Sequence, residues 1–355
     1  MKKNIVTIVG ARPQFVKAAP VARALARDFN EIVIHTGQHY DYGMSEIFFQ
    51  EMEMQPPDFN LGVGGGTHGE QTGRMLMELE TKLAAVQADC VLVYGDTNST
   101  LAGALAAAKA GIPLAHVESG LRSYNRAMPE EINRVVTDHV SNYLFCPTDV
   151  AVQNLAKEGI SRGVFQVGDV MYDALLHNLS LARERSQILT RLGLRKGEYA
   201  LATVHRAANT DDPKRMLSLL DAFSSLPMQV VFPVHPRTRV LLDQLGWKPA
   251  PNILAIEPLG YFDILIMQEN ADCILTDSGG MQKEAYLLGV RCITLREETE
   301  WVETVSAGWN KLVGVDGEAI REAFNNWHPS QSRAKLYGDG HTSEKIRDIL
   351  LEILI

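Results

Sequence analysis

A chain of 355 residues with 46% hydrophobic content holds enough apolar material for two ordinary cores, so two domains are expected. A formal net charge of −9 at pH 7 gives no overall attraction to nucleic acid or to an anionic membrane, so an anionic ligand has to be held by a local basic pocket. The apolar runs fall short of the roughly 18–20 residues that cross a bilayer, and "MKKNIVTIVGARPQ" turns polar too early for a secretory leader, which reads as the first strand of a cytoplasmic protein.

In chain order, "NIVTIVG" is followed by the helical pattern "QFVKAAPVARALARDF", then by "EIVIHTG" and a helix from about Met44. Next come "EQTGRMLMELETKLAAVQA", "CVLVYGD", "STLAGALAAAKAG", "PLAHVES", "EEINRVVTDHVS" and "YLFCPT". The same rhythm restarts after residue 195 with "YALATVHR", "QVVFPVHP", "NILAIEP", "CILTDSGG", "RCITLRE" and "KLVGVD". Strict alternation of near-continuous apolar strands with helices predicts parallel sheets covered on both faces. The fold class is therefore α/β, with two Rossmann-like doubly wound domains facing a cleft: residues 1–168 and 169–341, with a last helix at 342–355 packing back on the first domain. Cys90, Cys146, Cys273 and Cys292 lie in or beside strand-like runs without CxxC spacing and read as buried thiols, with no disulfide and no zinc site expected.

Open α/β sheets bind ligands beyond the carboxyl ends of their strands, and that is where the charged residues fall. Asp96 follows "VLVYG", Glu118 follows "PLAHV", His205 and Arg206 follow "YALATV", and His235 follows "VVFPV". Asp96 also has a plainer reading as the cap of the next helix. The segment "TDSGGMQKEA" places Asp277, Ser278, Gly279 and Gly280 before a helix, where backbone N–H groups and the helix dipole suit a phosphate. The first loop, "GARPQFVK", lacks GxGxxG and offers Arg12 and Lys17 instead. The stretch "HVESGLRSYNRAMPEEINR" concentrates charge beside a buried strand; within it, Glu131 and Arg122 read as a solvated pair supporting the loop.

Together "GARPQFVKAAP", "GDTNSTLAG", "HVESGLRS", "MPEEINR", "VHR", "PVHP", "TDSGGMQKEA" and "YGDG" resemble the non-hydrolysing UDP-N-acetylglucosamine 2-epimerases, in order and over residues 5 to about 345. The resemblance implies a GT-B-like fold and inversion at C2 of a UDP-2-acetamido sugar, by loss of UDP to a 2-acetamidoglucal and its return. It implies Asp96, Glu118, Glu130 and His205 as acid/base residues. It places Arg12, Lys17 and Arg134 around the diphosphate and sugar, and His235, Ser278, Gly279, Gly280 and Glu284 around UDP, with Glu284 on the ribose hydroxyls.

It further implies a cytoplasmic homodimer serving surface polysaccharide and lipopolysaccharide synthesis, with no cofactor and no metal. The chain departs from many members at "RPQ", where Gln14 replaces an acid, and at "TEWVE", where Trp301 replaces an arginine. Both departures resemble a branch acting on UDP-2,3-diacetamido-2,3-dideoxyglucuronate rather than UDP-GlcNAc. A hydrolysing 2-epimerase and a GT-B glycosyltransferase are the rival activities. Regulated members bind UDP-GlcNAc at a second, allosteric site, and "TGQHYDYGM" keeps Gln38 and His39 there, with Arg74 as the candidate basic partner.

Overall fold

The computed structural model describes residues 2–38 and 55–354, with the side chains of Arg12 and Arg237 left out. The expected helix from Met44 and the candidate residue His39 lie outside the described residues. The chain divides into two compact units, Met1–Leu176 with Lys335–Ile355, and His177–Ala334.

In the first unit the strands are β1 (Asn4–Val9), β2 (Asn30–His35), β3 (Phe59–Asn60), β4 (Cys90–Tyr94), β5 (Leu114–Val117), β6 (Tyr143–Cys146) and β7 (Val164–Gln166). They pair in parallel in the order β3-β2-β1-β4-β5-β6-β7. All five residues of β4 are buried, as expected of a central strand covered on both faces. The strand order reverses between β1 and β4, which makes the carboxyl ends of these two strands the topological switch point. The alanine-rich helix Asn98–Ala110 sits tightly on this part of the sheet. A Cβ at Gly103 would lie 2.9 Å from Ile8 Cδ1 and 3.1 Å from Val93 Cγ1, so "LAGALAAA" is small because the sheet is close.

The second unit contains β8 (Tyr199–Thr203), β9 (Gln229–Pro233), β10 (Ile253–Ile256), β11 (Cys273–Thr276), β12 (Arg291–Thr294) and β13 (Asn310–Leu312), in the order β10-β9-β8-β11-β12-β13 and again parallel. Its switch point lies between β8 and β11. Phe223, Phe232, Met216 and Leu275 belong to its core, and Val6, Ile8, Val91 and Val93 to that of the first unit.

The helix Thr342–Leu354 returns to the first unit and packs on the helix Arg12–Leu25. Its start is fixed by Asp173, whose carboxylate accepts the N–H groups of Thr342 at 3.1 Å and Ser343 at 2.6 Å and the Ser343 hydroxyl at 2.7 Å. All four cysteines are free and buried, and burial pushes the thiols of Cys90 and Cys292 up to about 12. Among the described residues no helix is long and apolar enough to cross a membrane, and no group of His, Cys, Asp and Glu is placed to hold a metal ion.

Candidate active site

At the first unit's switch point, β4 runs through Gly95 into Asp96. The cap of the following helix is Thr97, not Asp96: Thr97 Oγ1 accepts the Thr100 N–H at 3.3 Å, and Thr100 Oγ1 accepts the Thr97 N–H at 3.1 Å. Asp96 therefore keeps its carboxylate for Arg134, whose Nη1 donates to Oδ2 at 2.6 Å. Burial pushes the Asp96 carboxyl up, and Glu118 and Glu130 add to this, while Lys17 and Arg134 oppose it. Glu130 itself is exposed in the first turn of the helix Pro129–Val140.

Glu118 follows β5 directly in the left-handed region, at φ +71. Such a conformation costs a side chain with a Cβ about 1–3 kcal/mol and persists only where the surroundings impose it. Lys17 Nζ, from the helix Arg12–Leu25, donates to Glu118 Oε2, and both side chains are largely buried. Burial opposes the charge on Lys17, but Glu118, with Asp96 and Asp169, outweighs it and the ammonium is held above its ordinary value. The site thus pairs two carboxylates with two cations on side chains from two helices and two strand ends.

Gln14, the departure in "RPQ", is buried. Its Oε1 accepts the Gly10 and Ala11 N–H groups at 2.8 and 3.1 Å, and its Nε2 donates to Tyr94 O at 2.9 Å and Thr100 Oγ1 at 3.0 Å. One neutral amide so ties the loop after β1 to the end of β4.

The charged stretch after β5 corrects one expectation. Glu131 and Arg122 are neither solvated nor paired with each other. Glu131 is buried and accepts the N–H groups of Ser123 and Tyr124 at 2.9 and 2.8 Å and Arg134 Nη2 at 2.9 Å. The Arg122 side chain is 1% exposed; it clamps Glu158 bidentately at 2.7 and 2.8 Å and donates to Asp138 Oδ2 at 2.6 Å. Asp138 also receives the Gly120 N–H at 3.1 Å and faces His116 Nδ1 at 2.7 Å, and His116 Nε2 lies 2.8 Å from Gly95 O. Burial opposes the Asp138 charge, but His116 and Arg122 prevail and hold its carboxyl below the usual range. The turns that carry Asp96 and Glu118 are anchored by this buried charge chain. No spacing in the sequence announces it, because Asp138 lies on the next helix.

Of the residues expected at a second site, Gln38 and Arg74 lie among the described residues. Gln38 Oε1 accepts from Ser99 N at 3.0 Å and Ser99 Oγ at 2.6 Å, at the start of the helix Asn98–Ala110. Arg74 lies exposed on the helix His68–Val86, 3.9 Å from Glu70. Arg12 opens the helix Arg12–Leu25.

In the second unit, His205 and Arg206 follow β8, and Asp277 and Ser278 follow β11. Asp277 is fully buried and accepts the N–H groups of His205 and Arg206 at 3.1 and 3.0 Å and Asn209 Nδ2 at 3.0 Å; His205 Nδ1 is 3.3 Å from Oδ1. The His205 ring is partly exposed, with its centroid 6.0 Å from that of His235.

Ser278 caps the helix Gly279–Leu288, its Oγ accepting the Met281 N–H at 3.4 Å. Further along, Glu284 Oε2 accepts Gln268 Nε2 at 2.7 Å; burial pushes this carboxyl up against the opposing effects of Gln268 and Lys283. Lys283 Nζ stands 4.5 Å from the centre of the Trp301 ring.

Two doubly wound parallel units, each with ionisable side chains at the strand ends beside its switch point, define a two-domain α/β protein of the GT-B-like kind. The model of the family described as UDP-N-acetylglucosamine 2-epimerase matches residues 23–351. A UDP-N-acetylglucosamine 2-epimerase homolog of Methanococcus maripaludis is 53% identical over 353 residues, 98% of this chain and 99% of that one. The UDP-2,3-diacetamido-2,3-dideoxy-D-glucuronate 2-epimerase of Pseudomonas aeruginosa is 46% identical over 360 residues, 99% of this chain and 100% of that one. The UDP-GlcNAc 2-epimerase of Methanocaldococcus jannaschii superposes with a TM-score of 0.88 at 42% identity, and its complex with UDP-GlcNAc and UDP with 0.80 at 43%, each covering 99% of this chain and 100% of the other. The chain belongs to the UDP-N-acetylglucosamine 2-epimerase family.

Proposed function

We propose that the chain inverts C2 of a UDP-2-acetamido sugar without hydrolysis, converting UDP-GlcNAc to UDP-ManNAc. The observation that carries this reading is the likeness, over nearly the whole chain, to enzymes named for this reaction. A base removes the C2 proton, the freed electron pair forms the C1=C2 bond, and the C1–O bond to UDP breaks. The 2-acetamidoglucal then takes UDP back at C1 and a proton on the opposite face of C2, so atoms and charge balance over the cycle.

A C2 hydrogen is weakly acidic, so this chemistry needs carboxylates or imidazole for the proton and cations for the departing diphosphate. Asp96, Glu118, Glu130 and His205 are assigned to the proton. Burial pushes the Asp96 carboxyl up, so it holds a proton more readily than an ordinary aspartate. Lys17, Arg134 and Arg12 are assigned to diphosphate and sugar, and Ser278, Gly279, Gly280, Glu284 and His235 to UDP. We further infer a cytoplasmic homodimer serving surface polysaccharide and lipopolysaccharide synthesis; light scattering tests the dimer.

Proton NMR of the protein with UDP-GlcNAc in heavy water tests the reaction. UDP-ManNAc carrying deuterium at C2 should accumulate without any acceptor. Free N-acetylmannosamine in step with UDP would instead mark a hydrolysing enzyme, and no turnover without an acceptor would mark a transferase. A second reading, the same inversion on UDP-2,3-diacetamido-2,3-dideoxyglucuronate, is favoured by the 46% identity to the enzyme named for it. The ratio of kcat/KM for the two substrates decides between them.

A further inference from the structure

The start of the helix Gly279–Leu288 already has an anion of the chain's own against it. First-turn N–H groups have no carbonyl partner within their helix, and this first turn carries no acidic residue. The Glu300 carboxylate, from the loop after β12, lies so close to Gly279 that a Cβ there would overlap Oε1. Two guanidinium groups hold it: Arg296 Nη1 donates to Oε2 at 2.9 Å, and Arg206 Nη2 stands 3.6 Å from Oε1. The Trp301 indole nitrogen flanks the same spot, 3.6 Å from where that Cβ would be. The Glu300 side chain is 46% exposed, so it has room to swing out.

A phosphate bound at this helix start would occupy the space of that carboxylate and compete for the same guanidinium groups, and two like charges so close repel strongly. We propose that Glu300 is an internal counter-anion: it holds the phosphate position in the ligand-free chain and is expelled by the diphosphate of the UDP-sugar, which takes over Arg206 and Arg296. This rests on the assignment of the Gly279 helix start to UDP. Expelling Glu300 consumes part of the binding energy, which keeps UDP affinity moderate and helps the product leave.

Calorimetric titration of UDP and of uridine into the wild-type protein and the Glu300→Gln and Glu300→Ala variants tests the exchange, with melting temperatures confirming that the variants are folded. Both variants should bind UDP about tenfold or more tightly at low salt, with the gain shrinking as salt is raised, because it is the relief of a charge repulsion. Uridine, which has no phosphate, should gain nothing.

Equal or weaker UDP binding by folded variants would overturn the proposal and make Glu300 an orienting partner of the arginines. A matching gain for uridine would overturn it too, since the effect would then lie away from the phosphates. If wild-type protein fails to bind UDP at all, the assignment of the helix start falls together with the exchange built on it.

Discussion

The amide of Gln14 uses both of its ends: two backbone N–H groups reach its oxygen, and its nitrogen reaches Tyr94 O and Thr100 Oγ1. An ionised glutamate there would aim an acceptor at the Tyr94 carbonyl. Gln14→Glu should therefore cost about 1–3 kcal/mol at neutral pH, the usual cost of a buried group left unsatisfied, and the loss should shrink in acid as the new carboxyl takes a proton. Urea unfolding on either side of the carboxylate range measures this.

Glu31 offers a second pH test. Burial pushes its carboxyl from 4.5 up to about 7, against the hydrogen bond from Thr7 at 2.5 Å. Because the folded value lies above the unfolded one, the stability from holding this proton is fully present below 4.5 and is lost as pH rises through about 7. The total is roughly 3 kcal/mol at the usual conversion from pKa to free energy. Glu31→Gln should flatten that decline in unfolding free energy, and an unchanged slope would remove Glu31 from the account. For the assigned acid/base residues, Asp96→Asn and Glu118→Gln should each lose about 10²–10⁴-fold in turnover while UDP affinity holds, since such groups act mainly in the transition state.

The helix Pro129–Val140 turns the usual inside-outside rule around. Its buried residues are Glu131, Asn133, Thr137 and Asp138, while Ile132 is 50% exposed. Removing one partner from a buried, hydrogen-bonded charge network costs about 3–5 kcal/mol, so Arg122→Ala and Asp138→Asn should each lower stability by that order, as read by denaturant melts. The strands were legible in the sequence because a parallel sheet buried on both faces forces continuous apolar runs, and Asp96, Glu118 and His205 stood out because they follow such runs directly. Arg122 and Glu131 were misread because a buried polar helix face looks, residue by residue, like a solvated one. The partners of Arg122 and His205 were out of reach for a different reason: Arg122 and Glu158 are 36 positions apart, and His205 and Asp277 are 72 apart. Such pairings depend on how helices and strands are brought together, which local periodicity does not encode.

Across the whole molecule, each unit has a core of its own, so a ligand held by one should stabilise that one first. UDP at about a hundred times its Kd should add about 2.7 kcal/mol to the unit that binds it. Scanning calorimetry should show the transition of the second unit moving upward; a shift confined to the first would contradict the placement of UDP at Gly279. The division between units falls inside the helix Val170–Arg185, and the chain re-enters the first unit at Lys335. Asp173 and the Thr342 N–H it receives are 169 positions apart. A ribosome adding about 5–20 residues each second needs roughly 10–30 s to make that stretch. Through that interval the second unit can acquire its whole sequence and close, while the first waits with a carboxylate lacking its donors and with the helix Arg12–Leu25 uncovered. The part of the protein that is translated first is thus the part completed last, and a nascent chain stalled between those two points presents the unfinished first unit to chaperones.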